Sequence, residues 1–122
     1  CSRLVRLIEA LDARAVFLDA ERHDRLVALV SHLPHLLSFA FARTLHEDRE
    51  AEMARSLAGG SYRDLMRVAQ SDPQLWRGIL QENRSSLLSA LSAYKSSLDA
   101  LEGALTEGDG DTLQSLLDHH PL

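Results

Sequence analysis

The stretch from Asp19 to about His46 constrains the fold more than any other part of the chain. Its apolar residues recur at helical spacing and occupy more than one face, which is typical of a helix buried at the centre of a structure. Pro34 lies inside this helix, where it removes one backbone donor and clashes with the carbonyl four residues earlier. We therefore expect a kink or a break near His32.

Shorter helices are predicted on both sides of this central helix. Residues 3–12 and 62–70 have helical apolar spacing, and Ser71-Asp72-Pro73 indicates that one helix stops and another begins. From Leu87 to Leu105 the apolar residues are spaced alternately four and three apart. That spacing is a heptad stripe, and it favours the pairing of helices.

Two further helices are predicted from charge and capping signals. Residues 47–57 read as a charged helix with Met53 and Leu57 turned inward. Asp111 is expected to cap a last short helix that reaches about Asp118.

One short run, Ala15-Val16-Phe17-Leu18, predicts a strand, because it is apolar, partly β-branched and bounded by charges. A lone strand cannot satisfy its own hydrogen bonds. We therefore expect it to pair with a segment outside this sequence, in another copy or in a missing domain.

Composition limits the class of protein. A chain of 122 residues with 45% hydrophobic and 25% charged residues fits one domain that buries about two-thirds of its unfolded surface. Its net charge of -5 and 5% aromatic content argue against a nucleic-acid binder. No apolar run approaches the roughly 20 residues of a membrane span, and no signal peptide is recognisable. The single cysteine, Cys1, fits a reducing compartment, and the cytoplasm is expected.

Histidines and a proline form the first candidate site: His23-Asp24 is followed by Ser31-His32-Leu33-Pro34-His35. A proline kink exposes backbone carbonyls and can turn imidazoles toward a cleft. The alternative is that these histidines lie at a helix surface or are satisfied within the core. Zinc needs three or four ligands in a compatible geometry, and no cysteine contributes here, so no metal is predicted.

A second cluster runs from Gly59-Gly60 to Arg67. Arg63 and Arg67 lie one turn apart on one helix face, and Asp64 can pair with Arg67. Two arginines beside a Gly-Gly bend would suit a carboxylate or a phosphate, and a solvated, salt-bridged face is the equal alternative. The sequence contains no nucleophile–base triad, Walker loop or glycine-rich dinucleotide loop.

Taken together, these blocks resemble the C-terminal part of prephenate dehydrogenases and of the closely related arogenate dehydrogenases. Their order and spacing extend from about residue 15 to 105. The blocks are His23-Asp24-Arg25, Ser31-His32-Leu33-Pro34-His35, Gly59-Gly60-Ser61-Tyr62-Arg63-Asp64 with Arg67-Val68-Ala69, Ser71-Asp72-Pro73-Gln74-Leu75-Trp76, and Asn83.

The resemblance implies an all-α domain over residues 19–122 that dimerises and closes the substrate pocket, similar to the C-terminal domain of 6-phosphogluconate dehydrogenase. Residues 1–18 would be a helix–strand remnant of a missing N-terminal Rossmann domain, which binds NAD or NADP and carries the catalytic histidine. The family oxidatively decarboxylates prephenate to 4-hydroxyphenylpyruvate in tyrosine biosynthesis. The present chain alone is expected to be a homodimer that binds no cofactor and has no activity.

The resemblance also assigns roles to individual residues. Arg67 matches an arginine that binds a substrate carboxylate, His35 a histidine that reaches the substrate pocket, and Gly60 a glycine whose backbone faces the substrate. A guanidinium suits the dianion prephenate, because it grips a carboxylate in a bidentate way. Met66 departs from the family, which often has a small hydroxyl residue there. The residues expected mainly to support the site are His23, His32, Arg63 and Asp64.

Two alternatives remain open at this point. The chain could be the corresponding domain of an arogenate dehydrogenase, or a helical dimerisation module without redox function. A βαβ unit with a glycine-rich turn immediately before Cys1 would favour a dehydrogenase. The choice between NAD and NADP depends on residues outside the sequence.

Overall fold

The computed structural model describes residues 2–118, which form eight α-helices and one π-helical turn. In chain order these are α1 (Ser2–Ala10), α2 (Ala20–Val27), the π turn (Ala28–His32), α3 (Leu33–Glu47), α4 (Ala51–Ser56), α5 (Gly60–Ala69), α6 (Pro73–Glu82), α7 (Arg84–Glu107) and α8 (Gly110–Leu117). No strand is formed within residues 2–118, so the expected all-α fold is confirmed.

The central helix runs without a break through α2, the π turn and α3. Asp19 begins it by accepting a hydrogen bond from the backbone N–H of Arg22 at 2.8 Å. Pro34 has no N–H to offer the preceding turn, and here the helix widens so that the Leu33 N–H reaches the Ala28 carbonyl, five residues earlier. The disturbance expected near His32 is therefore a π turn, and not a break in the helix.

A small core holds the central helix against α7. Ala28 is completely buried, and Leu33, Leu87 and Ala90 are nearly so. Two alanines in this group let the π turn and α7 approach closely, since neither side chain extends past its Cβ. The partly buried residues packed around this core are Leu36, Leu37, Leu80, Leu91 and Tyr94.

The strand expected at residues 15–18 is not formed in the structure. Residues 13–19 have no regular secondary structure, and Val16 and Phe17 are 65% and 75% exposed. A strand needs a neighbour for its hydrogen bonds, and no segment of residues 2–118 supplies one. The assignment of residues 1–18 to the end of a preceding domain stays a prediction.

Three details of the predicted helices are wrong. Met53 and Leu57 do not turn inward: they are 64% and 81% exposed, and α4 is shorter than expected. The last helix is capped by Asp109 and not by Asp111, because Asp109 accepts from the Thr112 N–H at 3.0 Å and from its hydroxyl at 2.7 Å. Helix α7 ends at Gly108, which adopts the left-handed conformation at φ 67°.

The chain exposes far more surface than a compact protein of its mass. Its accessible surface is 10174 Å², whereas a folded monomer of this size exposes about 6,500 Å². The chain therefore buries about half of its unfolded surface, less than the two-thirds expected from its length. Many large apolar side chains are among the exposed groups, including Val30, Phe41, Leu88, Leu98 and Leu105.

By length and composition, the helix Ala20–Glu47 could cross a membrane. The expectation from the sequence was that no segment qualifies. A core helix of a soluble protein passes the same test, and this helix carries the buried polar residues His32 and Ser38. Its apolar faces contact α7 and α5.

Candidate functional site

Two histidines of the central helix meet Trp76, and these three rings form the centre of the candidate site. The imidazole of His35 stacks on the indole, with centroids 3.6 Å apart and 17° between the planes. His32 approaches the same indole edge-on at 6.1 Å. Trp76 is held in the first turns of α6, which begins where Asp72 accepts a hydrogen bond from the Gln74 N–H at 2.9 Å.

Asn83 ties this cluster to the start of the central helix. Its Nδ2 donates to the carbonyl of Asp24 at 2.7 Å and lies 3.2 Å from Nδ1 of His32. The carbonyl can only accept, which fixes the orientation of the amide and directs its second hydrogen at His32. Nδ1 of His32 is therefore the acceptor, and the neutral ring carries its proton on Nε2.

Burial lowers the pKa of His32 below its ordinary value of 6.5. The side chain is 9% exposed, and desolvation penalises its charged form. The positive charges that His35 and His23 can carry act in the same direction, while the carboxylate of Asp24 opposes them. His32 is thus neutral near pH 7, and the supporting role expected for it stays a prediction.

The imidazole of His35 uses one of its two nitrogens in a hydrogen bond within the described residues. Its Nδ1 lies 2.9 Å from the carbonyl of Ser31, which can only accept, so Nδ1 carries the hydrogen. Nε2 lies on the opposite side of a half-buried ring and has no hydrogen-bond partner within residues 2–118. This nitrogen is available to a ligand.

Helix α5 places Arg67 at the same end of the fold as His35. Tyr62, near the start of α5, packs its ring on Phe41 of α3, with centroids 6.4 Å apart. A tight turn after α5 leads into α6, where Trp76 contacts His35. His35 lies six residues before Phe41 in the central helix. Helix α5 therefore runs antiparallel to α3, and its last turn, with Arg67, lies near the start of α3.

The other residues predicted for the second cluster, Gly60, Arg63 and Asp64, lie earlier in α5 than Arg67. Gly60 begins α5 and lies about 10 Å along the helix from Arg67, so a ligand that meets both must extend along α5. Arg63, Asp64 and Arg67 are all exposed. The Asp64–Arg67 ion pair expected from their spacing is not formed, which leaves the guanidinium of Arg67 open to an anionic ligand.

His23 is an exposed residue whose Nδ1–H donates to the Asp24 carboxylate at 3.0 Å. A shallow groove of about 380 Å³ lies nearby between α2 and α7. It is lined by Glu21, Arg25, Leu29 and the serine- and alanine-rich face of α7, and not by any of the predicted substrate-binding residues.

The sequence did not indicate a role for Trp76 or Asn83. Both residues entered only through the family resemblance. Both act through contacts across the fold: the bonds of Asn83 join residues 59 and 51 positions apart. The one local signal was that Asn83 is the single asparagine of the chain, at the junction of two predicted helices.

Comparisons with known proteins agree with this architecture. Residues 19–119 match the family described as prephenate dehydrogenase, dimerization domain. The cyclohexadienyl dehydrogenase of Zymomonas mobilis is 36% identical over 107 residues, which are 86% of this chain and 36% of that protein.

Solved structures of related enzymes have the same fold. The arogenate dehydrogenase of Synechocystis superposes with a TM-score of 0.84 at 28% identity, over 95% of this chain and 43% of that one. The prephenate dehydrogenase of Aquifex aeolicus, in complex with hydroxyphenyl propionate and NAD+, has a TM-score of 0.79 at 31% identity, over 95% and 41%. The chain spans about a third of the length of the curated relatives it matches. It belongs to the prephenate dehydrogenase dimerization-domain family.

Proposed function

We propose that this chain is the dimerising and substrate-closing domain of a prephenate dehydrogenase, which oxidatively decarboxylates prephenate to 4-hydroxyphenylpyruvate in tyrosine biosynthesis. The observation that carries the proposal is the match of residues 19–119 to the family. It is supported by the fold shared with the Aquifex aeolicus enzyme, whose structure holds hydroxyphenyl propionate, a ligand with a phenol ring and a carboxylate.

Three residues of this chain would bind the substrate. Arg67 offers an exposed guanidinium that has no ion-pair partner within residues 2–118, and such a group suits a carboxylate of a dianionic substrate. His35 offers Nε2 at the same end of the α3–α5 pair. Gly60, at the other end of α5, would contact the substrate through its backbone, so the substrate would lie along this helix.

The nicotinamide cofactor would be held outside this chain. Within residues 2–118 no glycine-rich turn joins a strand to a helix, so these residues do not form a dinucleotide cradle. A preceding Rossmann domain would supply it, and two observations support that domain: the chain covers about a third of its curated relatives, and its N-terminal part is strongly apolar and exposed. We propose NAD or NADP as the cofactor; the related Aquifex aeolicus structure contains NAD+.

The chain would act as a homodimer in the cytoplasm. Its surface exceeds that of a compact monomer by more than 3,000 Å², whereas an obligate interface hides roughly 1,000–2,500 Å² from each partner. The excess is therefore large enough for a two-fold interface and a second contact. The second contact would be the N-terminal apolar surface, which consists of Leu4, Leu7, Leu11, Val16, Phe17 and Leu18.

Arogenate dehydrogenase is the second candidate function. The solved Synechocystis enzyme of that name superposes with a TM-score of 0.84. Arogenate differs from prephenate in bearing an ammonium group on its side chain, so the two substrates separate the candidates in one assay.

The test is an assay of two polypeptides. The product of the complete reading frame should form NADH or NADPH in the presence of prephenate, and the 122-residue chain alone should not. Turnover of arogenate in place of prephenate would favour the second candidate. The proposal would be contradicted if the complete polypeptide turned over neither substrate, or if the 122-residue chain alone turned over prephenate.

A further inference from the structure

The hydrogen bond of His35 to Ser31 determines which of its two ring nitrogens remains for a ligand. A neutral imidazole has one donor nitrogen and one acceptor nitrogen. The Ser31 carbonyl, 2.9 Å away, requires the hydrogen on Nδ1 and leaves a lone pair on Nε2. Histidine free in water favours the opposite tautomer, so the fold holds His35 in its less common neutral form.

Trp76 holds the ring in the plane that this bond requires. The two rings are nearly parallel, and at 3.6 Å between centroids they are in face-to-face contact. A half-turn of the imidazole about its Cβ–Cγ bond keeps the ring in the same plane, so it would preserve the stacking and remove only the hydrogen bond to Ser31. The indole therefore fixes the plane of the ring, and the Ser31 carbonyl selects, within that plane, the orientation that directs Nδ1 at it.

Asn83 holds the helical turn that carries the Ser31 carbonyl. Its amide bonds to Asp24 before the π turn and to His32 at the end of it, so it spans the turn from outside the helix. The lowered pKa of His32 keeps that ring neutral near pH 7, and Nδ1 of His32 remains able to accept the second bond.

We propose that Asn83 and Trp76 are positioning residues that act through His35, holding it as the Nδ1–H tautomer so that Nε2 accepts a hydrogen bond from a hydroxyl or ammonium group of the substrate. The statement that the substrate meets His35 rests on the proposed function. A neutral acceptor nitrogen does not bind a carboxylate. The substrate carboxylates are thereby left to Arg67, and the orientation of the substrate in the pocket is fixed.

Nitrogen NMR tests the tautomer without any enzymatic reaction. The full chain is labelled with ¹⁵N in its histidine rings and measured at pH 8, and the variants His35→Gln and His32→Gln assign the two signals. His35 should show a protonated Nδ1 and a bare Nε2, and His32 the reverse. A His35 signal with the proton on Nε2 would overturn the proposal.

Substitutions test which residues hold the tautomer. Trp76→Leu should convert the His35 signal to a mixture of both tautomers, whereas Trp76→Phe, which keeps an aromatic face, should preserve it. Leu75→Ala, on the exposed side of α6, is the control.

Asn83→Asp removes both of the hydrogens that the amide donates, so it should protonate His32 and disturb the His35 signal. Gln81→Glu makes the same charge change nearby and is the control. Circular dichroism checks folding. If Asn83→Asp does not fold, the Trp76 pair decides, and an unchanged His35 signal in Trp76→Leu contradicts the proposal.

The complete enzyme supplies the readout for substrate. Trp76→Leu should raise the KM for substrate about tenfold, as expected for one lost hydrogen bond, with kcat changed less than twofold, and Trp76→Phe should restore it. An unchanged KM despite a shifted tautomer would overturn the claim that the substrate meets Nε2. A wild-type enzyme that turns over neither prephenate nor arogenate would refute the proposed function, while the NMR result on the tautomer would still stand by itself.

Discussion

Ala28 of the π turn and Ala90 of α7 are both buried in the core cluster that joins the central helix to α7, with exposed fractions of 0% and 6%. Neither side chain extends beyond Cβ, so the two helices can approach closely at this point. Ala28 lies four residues, about one helical turn, before His32, whose ring Asn83 reaches from the start of α7.

Ala28→Leu should therefore destabilise the fold by about 1–3 kcal/mol, because the extra methyl groups have no space and must displace α7. Urea denaturation followed by circular dichroism measures the change in free energy of unfolding. Ala54→Leu, at an exposed position on α4, is the control and should change it by less than about 0.5 kcal/mol. Equal effects of the two substitutions would contradict the close contact.

Stability should fall as the pH drops below about 6.5. Burial lowers the pKa of His32 in the folded chain, so the unfolded chain takes up a proton first, and the free energy of unfolding decreases with falling pH in this range. Asp24 opposes this effect, and His35 and His23 reinforce it. Thermal melts between pH 5 and pH 8 measure the slope.

His32→Asn supplies the control for this pH dependence, because its side-chain oxygen can still accept from Asn83 but does not titrate. The slope between pH 6.5 and pH 5 should become smaller in His32→Asn and stay unchanged in His46→Gln, which alters an exposed histidine. A slope that survives in His32→Asn would show that another group is responsible.

In the complete enzyme, Arg67→Ala should chiefly weaken substrate binding. A charge-assisted bidentate contact in a closed, desolvated site contributes about 2–4 kcal/mol, so KM should rise about 30- to 900-fold. Arg63→Ala, one turn away on the same exposed face, should have a much smaller effect. A raised KM for the cofactor with an unchanged KM for substrate would contradict the role given to Arg67.

The melting temperature of the chain should rise with protein concentration, because folding and dimerisation are expected to be one transition. Leu98 and Leu105 continue the heptad stripe of α7 but are 46% and 65% exposed, so they are expected to pack on the partner. Replacing both with Asp should leave the chain unfolded or aggregated, because it removes the association on which folding depends, whereas Leu57→Asp, on a different element, should not. A folded 13.5 kDa monomer at micromolar concentration, seen by light scattering, would contradict the dimer.

The sequence predicted the features that depend on neighbouring residues. Helical spacing located the central helix and α7, and Pro34 located the disturbance near His32, although not its form as a π turn. Residues 15–18 form no strand in this chain, since a strand depends on a partner, and the partner was expected to lie outside this sequence. The choice of Asp109 over Asp111 as the cap depends on which residue lies just outside the first turn.

The candidate site was predicted only where it depends on residues that are close in the sequence. The sequence predicted that His32 and His35 share a helix face, because they lie three positions apart on one helix. The stacking of His35 on Trp76 and the bonds of Asn83 depend on how α6 and α7 pack, which no local spacing shows. The expected Asp64–Arg67 pair is not formed, because spacing of this kind permits an ion pair between exposed side chains without requiring one.

The π turn also sets the angular phase of the central helix. One residue added to an α-helical turn rotates everything after it by about 100° about the helix axis. The same 28-residue helix can therefore direct one apolar face at α7 before the turn and another at α5 after it. Deletion of Leu29 or Val30 would restore a regular α-helix, and it would swing His35 away from Trp76 while leaving every side chain of the site in the sequence.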